Sequence, residues 1–347
     1  MRIFSETHNR SSIYVLKDIP SRIEYGSGEP SKAYFADGRI CSIGCLGCIN
    51  PRCMKFDTTE ISCSEVENFP SDQSINVCPT DALSWDFEKG VPKVNSQKCI
   101  NCGICLRRCP VGALYYQNGI QVNSYESDQQ SKVNIDFSTT RLQVQQIQKL
   151  EVVEKTGILI MESDELMQDI YEKLTNLRPQ FHNTVGRNLL ISLGCNSAMR
   201  RIGDVYTRMD AVYSSLDGCF GAVEVEFGRD TLDASRGILD DIAVLYTRYG
   251  IDKDENLPLV ICLQLPNARQ GYWQVVKDIK NVEDIPIATI TIGAMLLLNW
   301  NGCLLIPDDV TYHLDYDNMD LRSVVSWQLK RPIRISKKFL GILEPQK

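Results

Sequence analysis

The chain has 347 residues, a net charge of −7, 43% apolar and 23% charged residues, which is soluble globular composition at a length suited to about two domains. The negative balance argues against indiscriminate binding to nucleic acid or to an anionic membrane, while leaving room for a local basic face. The opening "MRIFSETHNRSSIY" lacks the apolar stretch of a secretory signal, so a cytoplasmic setting without a membrane partner is expected.

Fourteen cysteines are present, and ten of them fall between Cys41 and Cys109. In a reducing compartment such clustering points to metal rather than to disulfides, and the scattered Cys195, Cys219, Cys262 and Cys303 read as small buried apolar residues. "CINCGICLRRCPVGAL" places Cys99, Cys102, Cys105 and Cys109 in the order C-x2-C-x2-C-x3-C-P. That is the bacterial ferredoxin run for a [4Fe–4S] cluster, whose fourth cysteine serves the other cluster in two-cluster proteins. A zinc ribbon would use two separated pairs. Upstream, "GCLGCINPRC" offers Cys45, Cys48 and Cys53, and "CPTDAL" offers Cys78 before Pro79.

This region, from about Cys41 to Leu114, resembles the two-cluster ferredoxin modules of bacterial electron-transfer subunits. The resemblance implies crossed ligation: Cys45, Cys48, Cys53 and Cys109 on one cluster, and Cys99, Cys102, Cys105 and Cys78 on the second. An insertion from Met54 to Val77 departs from the family spacing and leaves Cys41 and Cys63 spare, so either could replace Cys53. The clusters could transfer single electrons or staple a segment short of core.

From about Gln117 to Thr140 the chain is polar and reads as a linker. Helices are then predicted around Thr140–Glu154, Ser163–Leu177 and Asn183–Leu193. "RMDAVYSSLDGCFGAVEVEFGRD" reads as two strands joined by a tight turn, with Glu224 and Glu226 on one face and Val223, Val225 and Phe227 on the other. Asp210 can face the two glutamates. Like charges on one face repel, so either water screens them or something positive lies there. A half-exposed strand with its polar face in water is the ordinary explanation; three converging carboxylates would instead suit Mg²⁺ and a bound water of lowered pKa. Asp204 is either a supporting ligand or a surface acid.

Beyond the hairpin, Ile238, Leu239, Ile242, Leu245, Tyr246 and Tyr249 form a helical stripe, with Asp230 or Thr231 as its cap and Gly250 as its end. "LPLVICLQLP" reads as a buried strand over Leu257–Leu265. "YWQVVKDIKNVED" reads as a solvated helix or loop, and Ile285–Pro307 as a buried strand and its successor.

The hairpin and its flanking segments, roughly Asn183–Asn267, resemble the restriction-endonuclease-like PD-(D/E)XK nucleases, specifically the type II group with Glu or Gln in place of the motif lysine. The resemblance implies an α/β (α+β) fold in which a mixed sheet is flanked by helices. It also implies a metal held by Asp210, Glu224 and the Val225 carbonyl, and Glu226 orienting or deprotonating the attacking water. The expected organisation is a ferredoxin-like two-cluster domain over 1–120, a linker over 121–140 and a restriction-endonuclease-like domain over 141–347. The expected activity is Mg²⁺-dependent hydrolysis of DNA phosphodiesters in a restriction or defence setting, by a homodimer. Arg200, Arg201, Arg208, Arg229, Arg236 and the basic run at 330–338 would supply phosphate contacts. The alternative is a ferredoxin-type electron-transfer protein or oxidoreductase subunit with a redox partner.

Overall fold

The structure is a computed structural model. It describes residues 51–108, 114–117, 121–124, 162–228, 231–308 and 310–346, together with the strands β1 (Ile13–Val15), β2 (Ile23–Tyr25), β3 (Ala33–Tyr34) and β4 (Ile40–Ser42). The expected helix at Thr140–Glu154 and most of the expected linker lie outside the described residues.

The chain divides into two compact units. One comprises Met1–Phe56, Asn76–Ile170 and Trp300–Gly302, and the other Asp57–Ile75, Tyr171–Asn299 and Cys303–Lys347. Much of the insertion between Cys53 and Cys78 therefore belongs to the second unit.

The first unit is built from short antiparallel pairs. β1 pairs with β2, and β3 with β4. β5 (Leu83–Asp86) and β6 (Val91–Val94) form a hairpin, as do β7 (Leu114–Gln117) and β8 (Gln121–Ser124). The turn of the β5–β6 hairpin is held by the Asp86 side chain, which accepts the N–H groups of Glu88 and Lys89. The single helical piece described between these hairpins is α1 (Ile104–Arg108).

The second unit follows from longer apolar runs. Its sheet has the order β13-β12-β11-β10-β9, made of β9 (Asn196–Met199), β10 (Ala211–Ser214), β11 (Phe220–Glu226), β12 (Leu259–Cys262) and β13 (Ala288–Thr291). β9, β10 and β11 are antiparallel neighbours, while β11, β12 and β13 run parallel. β12 and β13 are buried throughout, in keeping with the continuous apolar runs that parallel strands carry. Helices α2 (Asp164–Thr175), α3 (Gln180–Ser192), α4 (Leu232–Val244), α5 (Tyr272–Glu283), α6 (Ile292–Trp300) and α7 (Leu321–Leu329) complete the elements. The fold is thus mixed α/β, as expected at that level.

Several local readings need correction. The second half of the apolar run after Ile285 is the helix α6, whose Ala294 through Leu298 are fully buried. "YWQVVKDIKNVE" is the helix α5, one of its two expected forms, but Tyr272, Trp273, Val276 and Ile279 are turned inward rather than solvated. The stripe on α4 holds at Ile238, Ile242 and Leu245, but the chain then winds into a π turn over Leu245–Tyr249. The wider turn shifts the spacing and leaves Tyr246 exposed. Gly250 ends it in the left-handed region at φ 71°, as expected. Thr231 occupies the cap position without a side-chain cap bond, because its backbone is already helical; Asp230 lies outside the described residues.

One glycine is required by packing. Gly221 in β11 sits where an added Cβ would land on the Leu257 carbonyl oxygen, and the neighbouring Leu257 N–H bonds to Phe220 O at 2.8 Å. Gly221→Ala should therefore separate the two chain segments and destabilise the protein by about 3 kcal/mol, the upper end for overpacking. Chemical denaturation of the purified variant measures it, and an unchanged midpoint would refute the contact.

Candidate functional site

The cysteine segment folds around two left-handed residues. Asn101 has φ 58° and Gly103 φ 76°, which turns the chain sharply between Cys99 and Cys105. At Gly103 a side chain would collide with the Tyr116 hydroxyl and come within 3.0 Å of Trp300 Nε1, so glycine is demanded twice. The loop is pinned from outside. Tyr116 donates its hydroxyl to Asn101 O at 2.7 Å, and Trp300 donates Nε1–H to Cys102 O at 2.9 Å. The two rings meet edge to face at 6.5 Å.

The sulfurs are collected by this fold. The Cys102 thiol is pushed up first by burial, then by the neighbouring charges of Cys78 and Cys99. Burial also raises Cys105, followed by Cys102, Cys78, Cys99 and Cys53. Cys102 and Cys105 thus both feel the charges of Cys78 and Cys99, and Cys105 that of Cys53 as well. Backbone donors point at them: Ala82 N lies 3.1 Å from Cys78 Sγ and Asn101 N 3.4 Å from Cys99 Sγ. Thiolates so placed in a buried space need positive charge beside them, and iron supplies it. The donor set is therefore suited to an iron–sulfur cluster. Among the described residues no group of three or more His, Cys, Asp or Glu is gathered to hold a single metal ion.

Cys45, Cys48 and Cys109 lie outside the described residues. Cys41 lies in β4, and of its side chain nothing is described. Cys63 is removed as a substitute for Cys53. It is buried in the second unit with Val66, Phe69, Met209, Val212 and Phe220, its thiol donates toward Asn196 O and Val212 O, and burial pushes it up to about 12.

The acids of the second unit are arranged differently from the expectation. The register Ala211↔Val223 puts Asp210 across from Glu224. Asp210 is already satisfied: Oδ1 accepts Asn183 Nδ2 at 2.7 Å and meets Arg200 Nη2 at 3.3 Å, while Oδ2 accepts the Val225 N–H at 3.0 Å. Glu226 turns away and accepts the Gly228 N–H. Asp204 is the surface acid, with its carboxylate on the Tyr206 and Thr207 N–H groups. The third acid beside Asp210 and Glu224 is instead Asp241, from α4, which lies almost wholly buried.

The Glu224 and Asp241 carboxyls act on one another across this buried face, where Asp241 Oδ2 has no hydrogen-bond partner. Burial, then the charges of Asp210 and Asp241, raise Glu224 to about 10, while burial raises Asp241 to about 7. Burial and the neighbouring carboxylates thus favour the protonated form of Glu224. The positive group that relieves the repulsion on this face is Arg200, and the expected Mg²⁺ finds no support. Of the other cations assigned to phosphate contact, Arg208 pairs with Asp240 at 3.0 Å, Arg236 lies 3.9 Å from Asp233, and Arg229 lies outside the described residues.

Residues 75–113 match the family model of the 4Fe-4S dicluster domain. The chain is similar to an uncharacterized ferredoxin of Methanocaldococcus jannaschii, at 34% identity over 84 residues, covering 22% of this chain and 52% of the relative. It is also similar to the polyferredoxin-like subunit of an aliphatic sulfonate oxidoreductase of Pyrococcus furiosus, at 33% over 84 residues, covering 21% and 47%. A third relative is a thiosulfate reductase electron transfer subunit of Salmonella typhi, at 37% over 60 residues, covering 17% and 29%. The chain spans about half the length, or less, of these curated relatives. No solved structure matches it. The chain thus carries a ferredoxin-type iron–sulfur segment. The endonuclease reading is overturned: the relatives are ferredoxins and electron-transfer subunits of oxidoreductases, and nothing found supports a restriction-endonuclease-like domain.

Proposed function

We propose that the cysteine region holds two [4Fe–4S] clusters and passes single electrons to or from a partner oxidoreductase subunit. Cys78, Cys99, Cys102 and Cys105 hold one cluster, and Cys45, Cys48, Cys53 and Cys109 the other. The observation that carries the reading is the C-x2-C-x2-C run of Cys99, Cys102 and Cys105, turned by Asn101 and Gly103, within a segment that matches a dicluster domain. Bound there, each cluster supplies a one-electron carrier.

The chain's own residues set the conditions for that carrier. The N–H groups of Ala82 and Asn101 stabilise negative charge on the sulfurs and so favour the reduced state, whereas burial of Cys102 disfavours added charge; their balance sets the potential. Tyr116 and Trp300 hold the loop closed against water. The resulting site positions and insulates a redox group, and it needs no substrate-binding residue of its own.

Protein prepared without oxygen should contain about eight irons per chain, bleach on reduction with dithionite, and recover its colour when a viologen acceptor is added. Iron content near zero, or a cluster signal that no reductant alters, would overturn the proposal.

A further inference from the structure

The second unit ends in a basic face that the electron-transfer reading leaves unexplained. From Leu321 onward the sequence has one acidic residue, Glu344, but Lys330, Arg331, Arg334, Lys337 and Lys338 lie within nine positions. Glu344 is neutralised within the fold. It accepts Arg322 Nε and Nη2, the latter at 3.2 Å, and the Lys338 N–H at 2.9 Å. Arg322 also donates to the carbonyls of Ile335 and Ser336 at 2.9 Å each. The loop carrying the cations is therefore held in place, and Lys330, Arg334, Lys337 and Lys338 are exposed on it.

Two further features mark the face. Lys330 and Lys338 stand in the left-handed region, at φ 54° and 57°. Glycine or asparagine relaxes that conformation, and a lysine there costs about 1 kcal/mol. Beside Lys330, in the last turn of α7, Trp327 is 71% exposed. A large amphipathic ring thus stands in water beside the exposed Lys330, which closes α7 as its C-cap.

We infer that this face docks on a bilayer surface bearing anionic phospholipid. Lysine is a hydrated point charge on a flexible stem, suited to a diffuse anionic plane, and basic clusters of this size are attracted to anionic leaflets. An indole beside them settles at the headgroup level, with its ring toward the acyl boundary and its N–H toward water. The net charge of −7 does not prevent this, since charges beyond about 8 Å are screened at physiological salt. The attachment is peripheral: no helix among the described residues is long and apolar enough to cross a membrane.

The test uses full-length, cluster-loaded protein and vesicles of phosphatidylcholine with or without phosphatidylglycerol. Co-sedimentation is expected only with the anionic vesicles, with loss at about 1 M salt, where screening shortens to about 3 Å. Lys337→Ser/Lys338→Ser should weaken partition roughly tenfold or more. Trp327→Phe should abolish a vesicle-induced blue shift of the emission. Both variants change exposed side chains, so unaltered circular dichroism and iron content serve as controls. Equal sedimentation with both vesicle types, or full binding by the double-serine variant, would overturn the inference. So would binding to a polyglutamate peptide without binding to vesicles, which would assign the face to an acidic protein.

Discussion

Cys102→Ser should halve the iron, from about eight atoms per chain to about four, and bleach about half of the visible absorbance. The serine hydroxyl is a poor substitute for a thiolate, and its site is buried and enclosed by Cys78, Cys99 and Cys105. An unligated corner there leaves three thiolates without enough compensating charge, so the whole cluster should be lost. Metal binding of this kind is also folding energy. The variant should accordingly lose amide protection in α1 and in the loop that Tyr116 and Trp300 pin. Cys63→Ala is the informative contrast. Cys63 is a core residue of the second unit, and its replacement should leave the iron untouched while lowering stability by about 1–2 kcal/mol through lost packing. Iron analysis with visible spectroscopy decides the matter. Retention of full iron in Cys102→Ser, or its loss in Cys63→Ala, would mean that the ligand set is wrong. Cys48→Ser adds a third arm: it should remove the other cluster and leave the one on Cys78 and Cys102.

The contrast between Cys102 and Cys63 also shows where the sequence could be read and where it could not. Cys99, Cys102 and Cys105 belong to one local run, and local spacing is enough to specify a wrapped loop. Cys63 stands ten residues after Cys53 and looked equally available, because its burial depends on Asp57–Ile75 packing with strands more than a hundred residues downstream. The hairpin was legible from alternation alone, and with it the opposition of Asp210 and Glu224. What the two acids do was not legible. Arg200 and Asn183 reach Asp210 from other elements, and Asp241 reaches Glu224 from the inner side of α4, where an acid within an apolar stripe was the one available sign. A short motif of three acids therefore suggested a metal, whereas the tertiary structure brings Arg200 and Asn183 to Asp210 and Asp241 to Glu224. The same limit explains Tyr246: a regular helical period cannot anticipate a π turn.

The raised Glu224 carboxyl makes stability depend on pH with a definite sign. The Glu224 carboxyl has an ordinary value of 4.5 and is raised to about 10 in the fold. Between those values the folded chain keeps a proton that the unfolded chain has lost, so unfolding releases it and stability falls as pH rises, by up to about 1.4 kcal/mol per unit. Asp241 contributes in the same direction, but only from 3.8 to about 7. Burial raises Asp210 as well, against the lowering by the Val225 N–H and Arg200, so it acts in the same direction as Glu224. Glu224→Gln keeps the shape and a donor toward Asp241 but cannot ionise. The variant and the natural protein should therefore be about equally stable near pH 5 and diverge at pH 8–9, with the variant more stable by about 1–3 kcal/mol. Titrations common to both proteins, those of the cysteines included, cancel in the difference between the two denaturation curves. Parallel curves from pH 5 to 9 would mean that Glu224 is ionised in the folded chain, and a cation rather than a proton would then have to stand between it and Asp241.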